Sequence, residues 1–190
     1  MSLFSGDGLT YLNACVGRNG GPYTFYDYSL GYYESGNNIS EQLFINNDHI
    51  DLKVYPIVFL YRQYIELMIK HLYLSASSIL LGEPKRLGNH KIYDKWESLL
   101  AIMKAESQLE LDDKDFTEIS KMIKEFEDID PKGETFRYPI SNDGVLHLQD
   151  IIHINIKILY DNMKKIYECF EDLDLRLSVI KEWSYNARDY

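Results

Sequence analysis

Basic charge is scarce in this chain. Its 190 residues carry 20 Lys and Arg against 30 Asp and Glu, a formal net charge of −10, which excludes broad, sequence-independent attraction to a phosphate backbone. Cysteine is scarcer still. Cys15 and Cys169 are too few and too far apart for the disulfide framework of a small secreted domain, so both read as reduced thiols, with Cys169 on an apolar face. Long apolar runs are missing too: the most apolar stretch, Val54 to Tyr61, is closed by Arg62, well short of the roughly 20 residues a membrane helix needs. The start, MSLFSGDGLTYLNAC, has neither a basic opening nor an apolar core and does not read as a secretory signal. These absences predict a cytoplasmic protein that does not engage a membrane. HExxH, CxxC, P-loop, GxGxxG and GxSxG patterns are also absent, which leaves no motif for a metal, a cofactor or acyl transfer.

What is present suffices for a fold. Hydrophobic residues make up 45% of the chain and charged residues 26%, too apolar for intrinsic disorder, and the length suits one well-packed core. Residues 51–100 alone are net positive, with seven bases against five acids, so a local anion site would draw on them.

Residues 1–50 are rich in Tyr, Gly and Asn (YTFYDYSLGYY) and show no sustained period of 2 or 3.6. They read as an irregular Tyr-rich N-terminal arm packed on the remainder, with rings buried and hydroxyls wet. A nucleic-acid stacking platform would want interleaved Lys and Arg, and this segment has only Arg18.

From Asp51 the pattern is helical. The run IVFLYRQYIELMIKHLYLSASSILL has apolar residues on nearly every face, as a central helix does. One stripe follows Ile57, Tyr61, Tyr64, Met68 and His71, another Leu60, Leu67 and Leu74, and Pro56 is compatible only with a first turn. On this reading Leu67→Ala costs about 2–5 kcal/mol. Gly82, Pro84 and Gly88 break the chain, and a second helix starts near His90 with Ile92, Trp96, Leu99, Leu100 and Met103 inward. A third begins at LDDKDF, capped by Asp112 or Asp113, with Phe116, Ile119, Ile123 and Phe126 as its stripe, and ends at DIDPKGE. The longest signal starts near Leu146 and runs through Ile152, Asn155, Leu159, Met163, Ile166 and Phe170, with a final helix or extension over Leu173 to Trp183. The sum is an all-α, antiparallel up-and-down bundle of four to five helices over residues 51–190.

Arg62, Glu66 and Lys70 form a charged line at i, i+4 and i+8 on the central helix. Either this is the helix's solvent edge, or the charges are buried and paired beside a cleft where something binds. Two other segments could reach that cleft. RLGNH ends in His90 beside a helix start, and FRYP holds Arg137 between two aromatics and a stiffening proline. A guanidinium presented in that way suits a carboxylate or phosphate, and the alternative for Arg137 is a structural pair with Glu66. His147, Asp150 and His153 recur at intervals of three, but a bundle metal site needs a matching pair on another helix, and the sequence offers none.

FLYRQYIELMIKHLY, GNHKIYDKWESLL, the FRYP loop and the long closing helix together resemble the HEPN-type helical domains of prokaryotes, over roughly Asp51 to Phe170. The resemblance implies a four- to five-helix bundle, homodimerisation through the long helices, and roles in RNA cleavage, nucleotide binding or regulatory interaction. The family's ribonucleases carry an Arg followed closely by a His on the bundle's C-terminal helix. Here eight residues lie between Arg62 and His71 and nine between Arg137 and His147, so no catalytic residue carries over. The resulting expectation is a non-catalytic HEPN-like module, without a cofactor, that binds a nucleotide, RNA or partner protein through a cleft of Arg62, Glu66, His90 and Arg137. The alternatives are a metal-independent ribonuclease of a defence or toxin–antitoxin system, or a structural, antitoxin-like interaction domain.

Overall fold

A computed structural model describes residues 3–4, 6, 8–17, 20–86, 91–106, 109, 111 and 113–186, with the side chains of 113–115 and 184–186 outside the description. Among these residues are five α-helices and one short 3-10 turn: α1 (Phe25–Asn46), α2 (Ile50–Leu80), α3 (Ile92–Lys104), α4 (Asp113–Ile129) and α5 (Ile156–Asn186), with the turn at Thr10–Leu12. The all-helical bundle expected from the sequence is what forms.

The first helix is a correction to the expectation of an irregular arm over residues 1–50. Only the stretch before Thr24 is irregular among the described residues, and it buries no side chain. From Phe25 the Tyr-rich segment is a 22-residue helix. A capping box starts it: Asp27 N–H donates to the Thr24 hydroxyl, and Thr24 N–H donates to the Asp27 carboxylate at 2.6 Å. Its buried positions are Ser29, Tyr33, Gly36, Ser40 and Leu43, a regular alternation of four and three. That period escapes a hydrophobicity reading because three of the five seam residues are Ser or Gly.

Small residues there let α1 lie very close to α2. Ser29 meets Met68 while Gly36 and Ser40 meet Tyr61, so the two helices are antiparallel. The three-residue link between them turns on Asn47 and His49, both in the left-handed region. Tyr33 stacks on Tyr167 at 4.4 Å and Tyr160 donates to Glu41 at 2.6 Å, so α5 is antiparallel to α1 and runs in the same sense as α2. The long connection over residues 130–155 makes that return possible.

Helix α2 is the central element, packed on α1, α3 and α5. It starts at Ile50, earlier than the proline suggested, so Pro56 lies inside it. The helix tolerates this where both Pro56 and Leu52, whose carbonyl loses its helical donor, are exposed residues. The stripe of Ile57, Tyr61, Tyr64 and Met68 is fully buried. Leu60, Leu67 and Leu74 are only half-buried, because this second stripe faces shallow surface cavities beside α1. Ile92, Trp96, Leu99, Leu100 and Met103 of α3 and Phe116, Ile119 and Ile123 of α4 enter the core as expected, with Phe126 half-buried. The Trp96 indole N–H donates to the Ser120 hydroxyl at 2.8 Å, which seats α4 on α3.

The last helix begins at Ile156, not near Leu146. Asn155 stops it from starting earlier by accepting from the N–H groups of Lys157 and Ile158, and Leu148 has a left-handed φ of 58° that a helix cannot contain. Leu148 and Ile152 therefore belong to a loop. The predicted extension is continuous with α5, where Leu173 and Leu177 are buried and Trp183 is exposed. No described helix is long and apolar enough to cross a membrane, and Cys15 and Cys169 form no disulfide.

Candidate functional site

The charged line on α2 is buried, not a solvent edge. Arg62 is 0% exposed and Glu66 6%. The Arg62 guanidinium donates to Glu66 Oε2 at 2.9 Å, and Lys70 donates to Oε1 of the same carboxylate at 2.6 Å. One helical turn separates each pair, so the helix itself sets the spacing. Lys95 of α3 completes the cluster, with its ammonium 4.8 Å above the Tyr73 ring. Burial and the neighbouring Lys70 lower the Lys95 pKa, and Glu66 opposes them. The arrangement holds a buried carboxylate between cations and ties α2 to α3.

Arg137 lies elsewhere. Its loop is fixed from below: the buried Asp130 carboxylate accepts from Glu134 N–H at 2.8 Å and Thr135 N–H at 3.0 Å, and Thr135 and Phe136 are buried beneath it. Arg137 and Tyr138 N–H groups both return to the Glu134 carbonyl, which turns the next residues outward. The exposed Arg137 guanidinium donates to the Tyr138 hydroxyl at 2.9 Å and sits over the rings of Tyr138 and Phe59, 5.0 and 5.8 Å from their centroids. It has no carboxylate partner among the described residues.

The single cleft anticipated for Arg62, Glu66, His90 and Arg137 is therefore not assembled. Arg62 and Glu66 are joined directly, whereas Arg137 neither pairs with Glu66 nor opens onto it. His90 lies outside the described residues. Neither Arg62 nor Glu66 lines any of five surface cavities among the described residues. A fully buried Arg62 consumes its charge inside the fold, because exposing it to a ligand would require undoing the pair with Glu66.

Arg137 instead lines a cavity of about 890 Å³ at the end of the bundle where α2 begins. One wall is the start of α2 (Ile50, Asp51, Val54, Tyr55), and the other is Thr135 to Pro139 with Leu146 to Leu148 and Ile151 to Ile154. An isolated bridge between Ile140 and Leu146 and the bond from His147 N–H to the Pro139 carbonyl hold the second wall in shape. His147 and His153 both face this cavity, so their spacing of six does not lie along a helix as the sequence suggested. Asp51 is the one acid in the lining and Arg137 the one Lys or Arg.

As cavity residues Tyr55, Tyr138 and Ile152 were not singled out in the sequence, where Tyr138 figured only as a flank of Arg137 and Ile152 only as a helix-stripe position, because the cavity exists only once the loop lies opposite the first turns of α2. The IIHI tetrapeptide at 151–154, β-branched and flanked by Asp150 and Asn155, was the available signal. Elsewhere, Tyr26 donates to Glu171 at 3.1 Å and His71 Nε2 lies 2.8 Å from Asp174 Oδ1; these pin α1 and α2 to α5. Among the described residues no three His, Cys, Asp or Glu side chains are placed to hold a metal ion.

No family model, no curated protein and no solved structure matches this chain.

Proposed function

We propose that this chain is a non-catalytic, HEPN-like helical module that binds another protein through the cavity at the start of α2. One observation carries the reading: a large, mostly apolar concavity holds a single guanidinium, hydrogen-bonded to Tyr138 and without an ion-pair partner among the described residues. Apolar and aromatic surface with an isolated Arg is the composition of protein-binding hot spots, and large exposed apolar patches mark interaction sites. A polymeric RNA is less well served, because its phosphates would find one fixed cation in a chain of charge −10.

A random peptide-display library screened against the whole chain tests this. The expected result is enrichment of peptides that no longer bind the Arg137→Ala and Ile152→Asp variants. Failure to enrich any peptide, or equal binding by both variants, overturns it. A nucleotide is the second reading, favoured by the Arg137 guanidinium beside aromatic rings and by His147 and His153 in the same lining. Saturable binding of a mononucleotide that Arg137→Ala abolishes would replace the protein reading with that one. Cutting of labelled RNA, lost in Arg137→Ala, would instead restore the ribonuclease alternative. Light scattering of the pure chain measures the homodimer that the HEPN resemblance implies.

A further inference from the structure

We infer that residues 151–155 receive an extended segment of the partner as an added β-strand, and that this segment sets a carboxylate, flanked by apolar side chains, against Arg137. The inference rests on the protein-binding reading above and specifies its partner chemistry.

The backbone supplies the first argument. Residues 151–155 belong to no helix or turn. The N–H groups of Ile152, His153, Ile154 and Asn155 make no hydrogen bond among the described residues, and neither do the carbonyls of Ile151 to Ile154. Consecutive unpaired donors and acceptors on one segment are what an incoming strand pairs with. Three of the five residues are Ile, which favour extended backbone. Ile152 is 84% exposed while Ile151 and Ile154 are half-buried, so the stretch is anchored on the bundle and open on its outer side. A pair of strands is marginal in water, but here the added strand would also lie in the cavity against Tyr55 and Leu146.

Charge supplies the second argument. Arg137 is the one Lys or Arg in the cavity lining, and it has no acidic partner among the described residues. Its guanidinium donates to the Tyr138 hydroxyl and lies over the Tyr138 ring, and its other N–H donors make no hydrogen bond among the described residues. A preorganised guanidinium accepts a carboxylate with little further loss of rotamer freedom. The surrounding −10 charge repels acidic chains in general, so an acidic residue is selected only where it meets Arg137.

The test uses short synthetic peptides of alternating Val, Thr and Tyr with a central Glu, the same peptides with Lys in its place, and a version N-methylated at alternate amides. The Glu peptide should bind the whole chain and slow hydrogen exchange at every other amide of the segment, either Ile152 and Ile154 or His153 and Asn155. The Lys peptide, the N-methylated peptide and the Arg137→Ala variant should each weaken binding by about tenfold or more. Both Arg137 and Ile152 are exposed, so unchanged helical circular dichroism in Arg137→Ala and Ile152→Asp separates lost binding from lost folding. Equal affinity for the Glu and Lys peptides, or binding that leaves those amides exchanging freely, removes this inference while the protein-binding reading stands. If neither these peptides nor any displayed library member binds, both fall.

Discussion

Gly36 and Gly31 sit in the same helix, and the same substitution should have opposite effects at the two positions. A Cβ built on Gly36 falls 2.8 Å from Tyr61 Cε1, 3.1 Å from Cδ1 and 3.3 Å from Cζ, whereas one on Gly31 meets nothing within 4 Å. Tyr61 cannot swing aside. Its ring is 0% exposed, its hydroxyl donates to Asn37 Oδ1 at 2.8 Å, and the same oxygen lies 3.3 Å from the Ser40 hydroxyl. Replacing a mid-helix Gly by Ala gains roughly 0.5–1 kcal/mol of helix propensity. At Gly36 this is opposed by forcing α1 off a close-packed ring, an overpacking cost of about 1–3 kcal/mol. Gly31→Ala should therefore stabilise by about 0.5–1 kcal/mol and Gly36→Ala destabilise by about 1–2 kcal/mol, with Tm moving by roughly 2–4 °C per kcal/mol in a chain of this size. Urea denaturation followed by circular dichroism at 222 nm measures both. Stabilisation by Gly36→Ala as large as that by Gly31→Ala would refute the close approach of α1 and α2.

Glu66→Ala removes the carboxylate between Arg62 and Lys70 and should cost about 3–5 kcal/mol, while Lys70→Ala costs far less because its ammonium is nearer solvent; chemical denaturation of the pair decides this. Leu67→Ala should cost less than about 2 kcal/mol, below the range for a central leucine, because the side chain is half-buried over a shallow cavity. Asp130→Ala leaves the Glu134 and Thr135 amides unpaired and should cost about 1–3 kcal/mol. It should also speed hydrogen exchange across residues 133–138, which limited proteolysis can check. Stability should fall as pH rises above about 10. Burial and Glu171 raise the Tyr26 pKa from 10.0 to about 12, the Glu41 hydrogen bond raises that of Tyr160 to about 12, and burial raises those of Tyr61 and Tyr64. A raised folded pKa means the unfolded chain loses its proton first, so the stabilisation is complete below pH 10, and the part from Tyr26 and Tyr160 is lost as pH rises through about 12. Phenolate absorbance that titrates fully near pH 10 with the fold intact would contradict this.

Helices α2, α3 and α4 were legible because their inward faces are carried by large apolar side chains at helical spacing, and Ile57, Trp96, Leu99 and Ile123 all reached the core. Helix α1 was not legible. Its seam has the right period, but Ser29, Gly36 and Ser40 contribute closeness, not hydrophobicity, and closeness has no signature until the opposing Tyr61 and Met68 are in place. The start of α5 was misplaced because Leu148, Ile152 and Asn155 happen to continue its spacing backwards. A left-handed Leu148 and a capping Asn155 interrupt that pattern in ways that apolar periodicity does not register.

By itself, the amino-acid order determined that this chain is helical, that α2 is its centre, and that Arg62, Glu66 and Lys70 share one face, since these follow from local spacing along a helix. Which charges are consumed inside the fold and which stay open was decided only by tertiary structure. Burial depends on what packs opposite, so Arg62 became a core ion pair while Arg137, carried by a loop anchored on Asp130, came to face a cavity whose other wall begins more than eighty residues earlier.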